Sequence, residues 1–84
     1  MKTIVSPGHF ALIAAMIAAR KVSGLTQVDL ARVLGCQQSL IARMESGQRR
    51  IDAVDLVLWA RAVDADAKHF IGVVEEATSF DQNK

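Results

Sequence analysis

Glutamines and arginines gather in the middle of this 84-residue chain, at spacings that suit one surface. Gln37, Gln38 and Ser39 stand in a row, Arg43 follows five positions after Gln38, and Gln48, Arg49 and Arg50 close the stretch. On a helix five positions make about 500° of rotation, which carries Arg43 about one and a half turns beyond Gln38 on the outward side. An amide donates and accepts at once, and a guanidinium offers two parallel N–H groups to paired acceptors. Such groups bind a polar edge or an anion. They do not break bonds. His9 and His69 are sixty positions apart, neither has a second ligand at metal spacing, and no nucleophile has a base beside it. With no glycine-rich phosphate loop and no length for a deep cleft, the sequence points away from an enzyme, a catalytic residue, a metal or a cofactor.

Side chains of this kind need rigid carriers. Apolar residues fall at Val28, Ala31 and Leu34, then at Ile41 and Met44, one helical face on each side of a break at Gly35 and Cys36. Two such short helices are marginal alone in water and need a further surface to cover that face. The flanking chain supplies it, because each expected helix start has a cap residue with apolar neighbours one position before and four after. Ser6 with Pro7 is flanked by Val5 and Phe10, Thr26 by Leu25 and Leu30, and Gln37 by Cys36 and Ile41. Asp52 is flanked by Ile51 and Leu56, and Asp66 by Ala65 and Phe70. Asp29 completes a variant capping box with Thr26. Five starts under one rule, with no sustained alternation anywhere, predict an all-α domain of five helices, with a core over about 6–77 and a tail over 78–84 that frays.

Helix 1, over 7–21, is expected to bury Phe10, Ile13 and Ile17, and helix 4, over 53–63, to bury Leu56, Trp59, Ala60 and Val63. Val54 and Leu58 form a second apolar stripe on helix 4, and helix 5, over 67–77, carries Phe70, Val73, Val74 and Ala77, with Phe80 beyond. A domain of this length has too little surface to cover all of them. Val54, Leu58, Phe70, Val73, Val74 and Ala77 are therefore read as a homodimer contact, the alternative being that helix 5 folds back onto its own core.

The net charge of +1 hides a division. Residues 1–50 carry seven bases against Asp29 and Glu45, net +5, whereas 51–84 carry three bases against seven acids, net −4. The basic half holds the two-helix unit, as expected of a domain with one face toward phosphate. A single Cys36 has no disulfide partner in the chain, which points to a reducing compartment, most simply cytoplasm. The apolar run from Phe10 to Ala19 is shorter than the roughly 20 residues that span a bilayer, and Arg20 and Lys21 follow it directly. It reads as a buried helix, not a secretory signal or membrane anchor. No linker or repeat divides the chain, so residues 1–84 are read as one domain.

Leu25-Thr26-Gln27, Asp29-Leu30-Ala31, Leu34-Gly35, Gln38-Ser39, Ile41, Arg43-Met44-Glu45 and Gly47 together resemble the lambda-repressor and Cro-like helix-turn-helix family, the XRE type. The likeness extends more loosely over about 6–70. It implies that the third helix lies in the major groove of double-stranded DNA, with Gln37, Gln38, Ser39 and Arg43 at base edges. An amide at Gln38 would match the N6/N7 edge of adenine, and Arg43 guanine O6/N7. It also implies phosphate contacts from Thr26 and Gln27, Gln27 bracing Gln38, and from Ser46, Gln48, Arg49 and Arg50 in the loop after the third helix, with help from main-chain N–H groups. Arg20 and Glu45 fall where the family has a structural ion pair. The chain departs from the family pattern at Gln37, where a Ser or Thr cap is usual, and at Asp64, where a Gly usually ends the fourth helix. The implied role is a cytoplasmic, nucleoid-associated transcription regulator of prokaryotic or phage type, more often a repressor, dimeric on a palindromic operator. An antitoxin whose apolar face holds a toxin protein, or an interaction module that has lost DNA, stand as alternatives, and RNA polymerase is a further partner.

Overall fold

The computed structural model describes residues 6–78, and they form five helices with no strand among them. These are α1 (Pro7–Val22), α2 (Gln27–Leu34), α3 (Gln38–Glu45), α4 (Ala53–Ala62) and α5 (Ala67–Ala77). Val5, Lys2, Phe80 and the expected frayed tail beyond Thr78 lie outside the described residues.

Four of the five starts are closed by their cap side chains. Ser6 Oγ accepts from the N–H of His9 at 3.1 Å, and Asp66 accepts from that of Lys68 at 2.9 Å. Thr26 and Asp29 bond reciprocally, each side chain accepting from the other's N–H at 3.0 Å. Asp52 and Asp55 form a second such box, with distances of 2.8 and 3.1 Å. Gly35 ends α2 in the left-handed conformation at φ 71°, and Asp64 adopts φ 57° after α4, the one described non-glycine residue with positive φ. A short polar side chain tolerates that conformation better than most.

Gln37 is the exception. It sits in extended geometry at the head of α3 and makes no side-chain capping bond. A Ser accepts readily there, so Gln37→Ser is expected to raise unfolding stability by about 1 kcal/mol, read from urea denaturation. No gain would mean that the exposed N–H groups are already well hydrated.

Trp59 and Phe70 fill the centre, fully buried, with Met16, Leu30 and Ile41 around them. The indole N–H of Trp59 donates to the carbonyl of Met16 at 3.0 Å and ties α4 to α1 across the core. Four expectations are corrected here. Phe10 is 52% exposed and Ile17 only half-buried, and the core side of α1 is made by Leu12 and Met16 beside Ile13. The guanidinium of Arg20 turns inward, and Met16 and Ile13, four and seven positions before it, turn with it, which leaves Phe10 outside. On α2 Val28 is likewise half-exposed, and Leu30 and Ala31 are the buried pair. Phe70, read as a dimer contact, is 0% exposed and cannot meet another chain. α5 packs back on α1 and α4, and Val74 joins the core. Gly8 permits this approach, because a side chain there would run into Thr78 Oγ1 at the end of α5.

Candidate nucleic-acid interface

α2 and α3 meet at the Gly35 turn and leave one line of polar side chains outside. Gln37, Gln38, Ser39 and Arg43 are all exposed along α3. Gln38 is held by a relay. Its Nε2 donates to Gln27 Oε1 at 2.7 Å, and Gln27 Nε2 donates in turn to Glu45 Oε1 at 2.9 Å. Glu45 also accepts from Arg20, through Nε at 2.6 Å and Nη2 at 3.0 Å, while Arg20 Nη1 donates to the carbonyl of Leu25 at 2.8 Å. The first residue of α2 thus orients the first residue of α3, and the ion pair between α1 and α3 orients both. Gln38 keeps one N–H and its carbonyl oxygen for an outside partner.

The loop after α3 differs from expectation in two ways. The N–H groups of Ser46, Gly47 and Gln48 turn back onto the carbonyls of Ala42, Met44 and Arg43, at 3.0, 3.4 and 3.0 Å. They close α3 and are not open to a phosphate. Arg49 is also engaged, donating through Nη1 to Asp55 Oδ2 at 2.8 Å. Arg49 is therefore ion-paired and fastens the loop to the α4 cap. Asp55 was not singled out in the sequence, although three positions after the Asp52 cap is where a capping box places its second acid. Ser46, Gln48 and Arg50 remain exposed, as does Thr26, while Gln27 is half-buried.

Burial works against ionisation of Asp55, but the bonds from Arg49 and Asp52 outweigh it and hold its carboxyl below the usual range. Asp29 is held low by the Thr26 backbone and hydroxyl bonds. His9 behaves oppositely. Its Nε2 is buried and finds no hydrogen-bond partner among the described residues. Burial first, and then the charge of Arg50, push its imidazole below the ordinary value of 6.5. The unfolded chain thus takes up this proton more readily than the fold. Stability from His9 is complete above about pH 6.5 and is lost as pH falls below it. The melting temperature is expected to drop between about pH 7.5 and 5.5, and His9→Gln to flatten that drop; an unchanged slope in the variant would assign the effect elsewhere.

No group of three His, Cys, Asp or Glu side chains among the described residues is placed to hold a metal. The groove between the α2–α3 unit and α4, where half-buried Cys36 sits with Leu34, Leu40 and Leu58, encloses about 110 Å³. That is well below the roughly 300 Å³ at which ligand pockets begin. No single described helix is long and apolar enough to cross a membrane.

Two helices joined at a left-handed glycine, with a braced amide at the head of the second, define a helix-turn-helix DNA-binding domain. The chain belongs to the helix-turn-helix domain family, whose model matches residues 15–69, and it is an XRE-type regulator, a class of transcription regulators and not of enzymes. Among solved structures, it is similar to an XRE-family like protein from Pseudomonas syringae pv. tomato strain DC3000, with 29% identity and a TM-score of 0.78 over 86% of this chain and 88% of that one. The restriction-modification controller protein C.AhdI from Aeromonas hydrophila shares 26% identity and a TM-score of 0.67 over 74% and 94% of the two chains. The clp gene regulator ClgR from C. glutamicum has the same fold at 19% identity and a TM-score of 0.74, over 87% and 95%. No curated protein sequence matches significantly.

Proposed function

We propose that this protein binds a palindromic operator in double-stranded DNA as a homodimer and represses transcription by occupying the promoter. The observation that carries the reading is the Gln38 amide, exposed at the head of α3 and fixed by Gln27, Glu45 and Arg20. A pre-oriented amide loses less freedom on binding, and its free N–H and carbonyl fit adenine N6 and N7. Gln37, Ser39 and Arg43 flank it at the base edges. Thr26, Gln27, Ser46, Gln48 and Arg50 face the sugar-phosphate chain, with Arg49 contributing only what its bond to Asp55 leaves.

Val54, 66% exposed, and Leu58, 47% exposed, lie one turn apart on the outside of α4 and form the centre of the dimer contact, edged by half-buried Val73 and Ala77. Two α3 helices related by a two-fold axis would then meet half-sites about 34 Å apart or a multiple of it. Such a regulator works in the cytoplasm, on the nucleoid.

Selection of bound fragments from genomic DNA with the purified protein tests the reading, because the recovered motif shows its own symmetry. Gel shifts on that motif should then give log affinity falling linearly with log salt, with a slope of roughly −0.9 for each phosphate neutralised. A slope near zero, or no enriched motif, would overturn the proposal.

A further inference from the structure

The outer face of α1 has no role in the arrangement above. Phe10, Ala14 and Ala18 are exposed on it, and Ile17 is half-buried without joining the core cluster. Lys21 is the one charged side chain there, since Arg20, the other charged residue of α1, turns inward to Glu45. A surface helix ordinarily carries polar side chains toward solvent, and an apolar stripe with a single cation at its end marks a contact surface.

We propose that this face binds a second copy of the same chain, α1 against α1 and antiparallel. The surface is complementary to itself in that arrangement. A two-fold axis crossing midway between Ala14 and Ile17 sets each Ala14 opposite Ile17 of the other copy, small against large, on both sides of the axis. The same axis lays Lys21 over the ring of Phe10 of the other copy, a cation–π pairing made twice. Ala14 and Ala18 let the two helix axes come close. A parallel pair would instead bring the two lysines together. Charge selects the occupant as well: an acidic partner or a phosphate chain would find only one cation on an apolar surface.

This contact is separate from the α4 stripe and rests on no part of the DNA reading. Two isologous surfaces on one chain join dimers into a tetramer or a longer array. The face of one 16-residue helix is small for an interface, so the association belongs in the micromolar range or weaker and is strongest between copies held on neighbouring DNA sites.

Sedimentation equilibrium of the full chain, from about 1 to several hundred μM, tests the proposal. The weight-average mass should rise beyond that of a dimer at the upper end. Ala14→Glu should remove the rise, weakening the step roughly tenfold or more, and Ala14→Glu with Ile17→Lys should restore it because those positions face each other. Leu58→Glu should abolish the α4 contact while keeping the α1 step, and a single operator should still bind the Ala14→Glu dimer. These two results separate failure here from failure of the operator reading. Lys21→Glu reads the same contact should Ala14→Glu not fold, as judged by circular dichroism. A mass of Leu58→Glu that stays at the monomer, or a rise that Ala14→Glu leaves unchanged, overturns the proposal. So does a rise that appears only in Phe80→Ser, since the face would then be covered by its own chain.

Discussion

Glu45→Ala is expected to lower the free energy of unfolding by about 3 kcal/mol, a large part of what a domain of this size has in hand. The side chains of Arg20 and Glu45 are only 10% and 7% exposed, so the pair is shielded from water. Removing the carboxylate leaves the guanidinium with the Leu25 carbonyl as its remaining partner and frees Gln27 as well. An exposed pair would be worth no more than about 1 kcal/mol, so urea denaturation of the variant discriminates clearly. Glu45→Gln, which keeps an acceptor oxygen, should lose less. Replacing both residues by apolar ones of similar size, Arg20→Met with Glu45→Leu, should recover much of the loss, because no charge is then stranded. Losses near 1 kcal/mol for Glu45→Ala would show that water reaches the pair after all.

The second large effect is on DNA. Gln38→Ala with Arg43→Ala is expected to weaken binding to the selected operator by about two to four orders of magnitude, taking about 1 to 3 kcal/mol for each paired side chain. Binding to unrelated duplex should fall much less, since the loop side chains and the first turn of α2 contribute without regard to sequence. Arg43 is exposed and Gln38 has one bond to Gln27, so the fold should melt within a few degrees of the parent. Gel shifts on operator and random duplex at one salt concentration provide the measurement. Equal losses on both would place the sequence reading somewhere other than α3.

Much of the fold was legible because its signals are local. Thr26 and Asp29 sit three positions apart, and that spacing alone fixes where α2 begins; Gly35 and Asp64 mark turns by what their backbones tolerate. Rotation of a helix about its own axis was not legible where the helix is apolar on most sides. α1 reads with Phe10, Ile13 and Ile17 toward the core, and the inward reach of Arg20 toward Glu45, a contact across 25 positions, turns Leu12 and Met16 in beside Ile13 instead. The fate of Phe70 depended in the same way on whether α5 turns back on α1, which the Gly8 and Thr78 contact permits and no local pattern announces. In the site, the outward places of Gln38 and Arg43 followed from helical spacing, and those of Gln37 and Ser39 from the family resemblance. The engagement of Arg49 was not legible, because its partner Asp55 stands six positions on and was not singled out, and a capping-box spacing does not announce that its acid accepts a second bond.

The relay from Arg20 to Gln38 also constrains how this domain could drift toward new targets. Gln27 and Glu45 serve folding and orientation through the same bonds, so a change at either alters what α3 presents only by loosening what carries it. Gln37, Ser39 and Arg43 have no side-chain hydrogen bonds inside the described fold, and they can be exchanged without that penalty. Retargeting to other operators should therefore begin at those three positions and leave the relay as inherited.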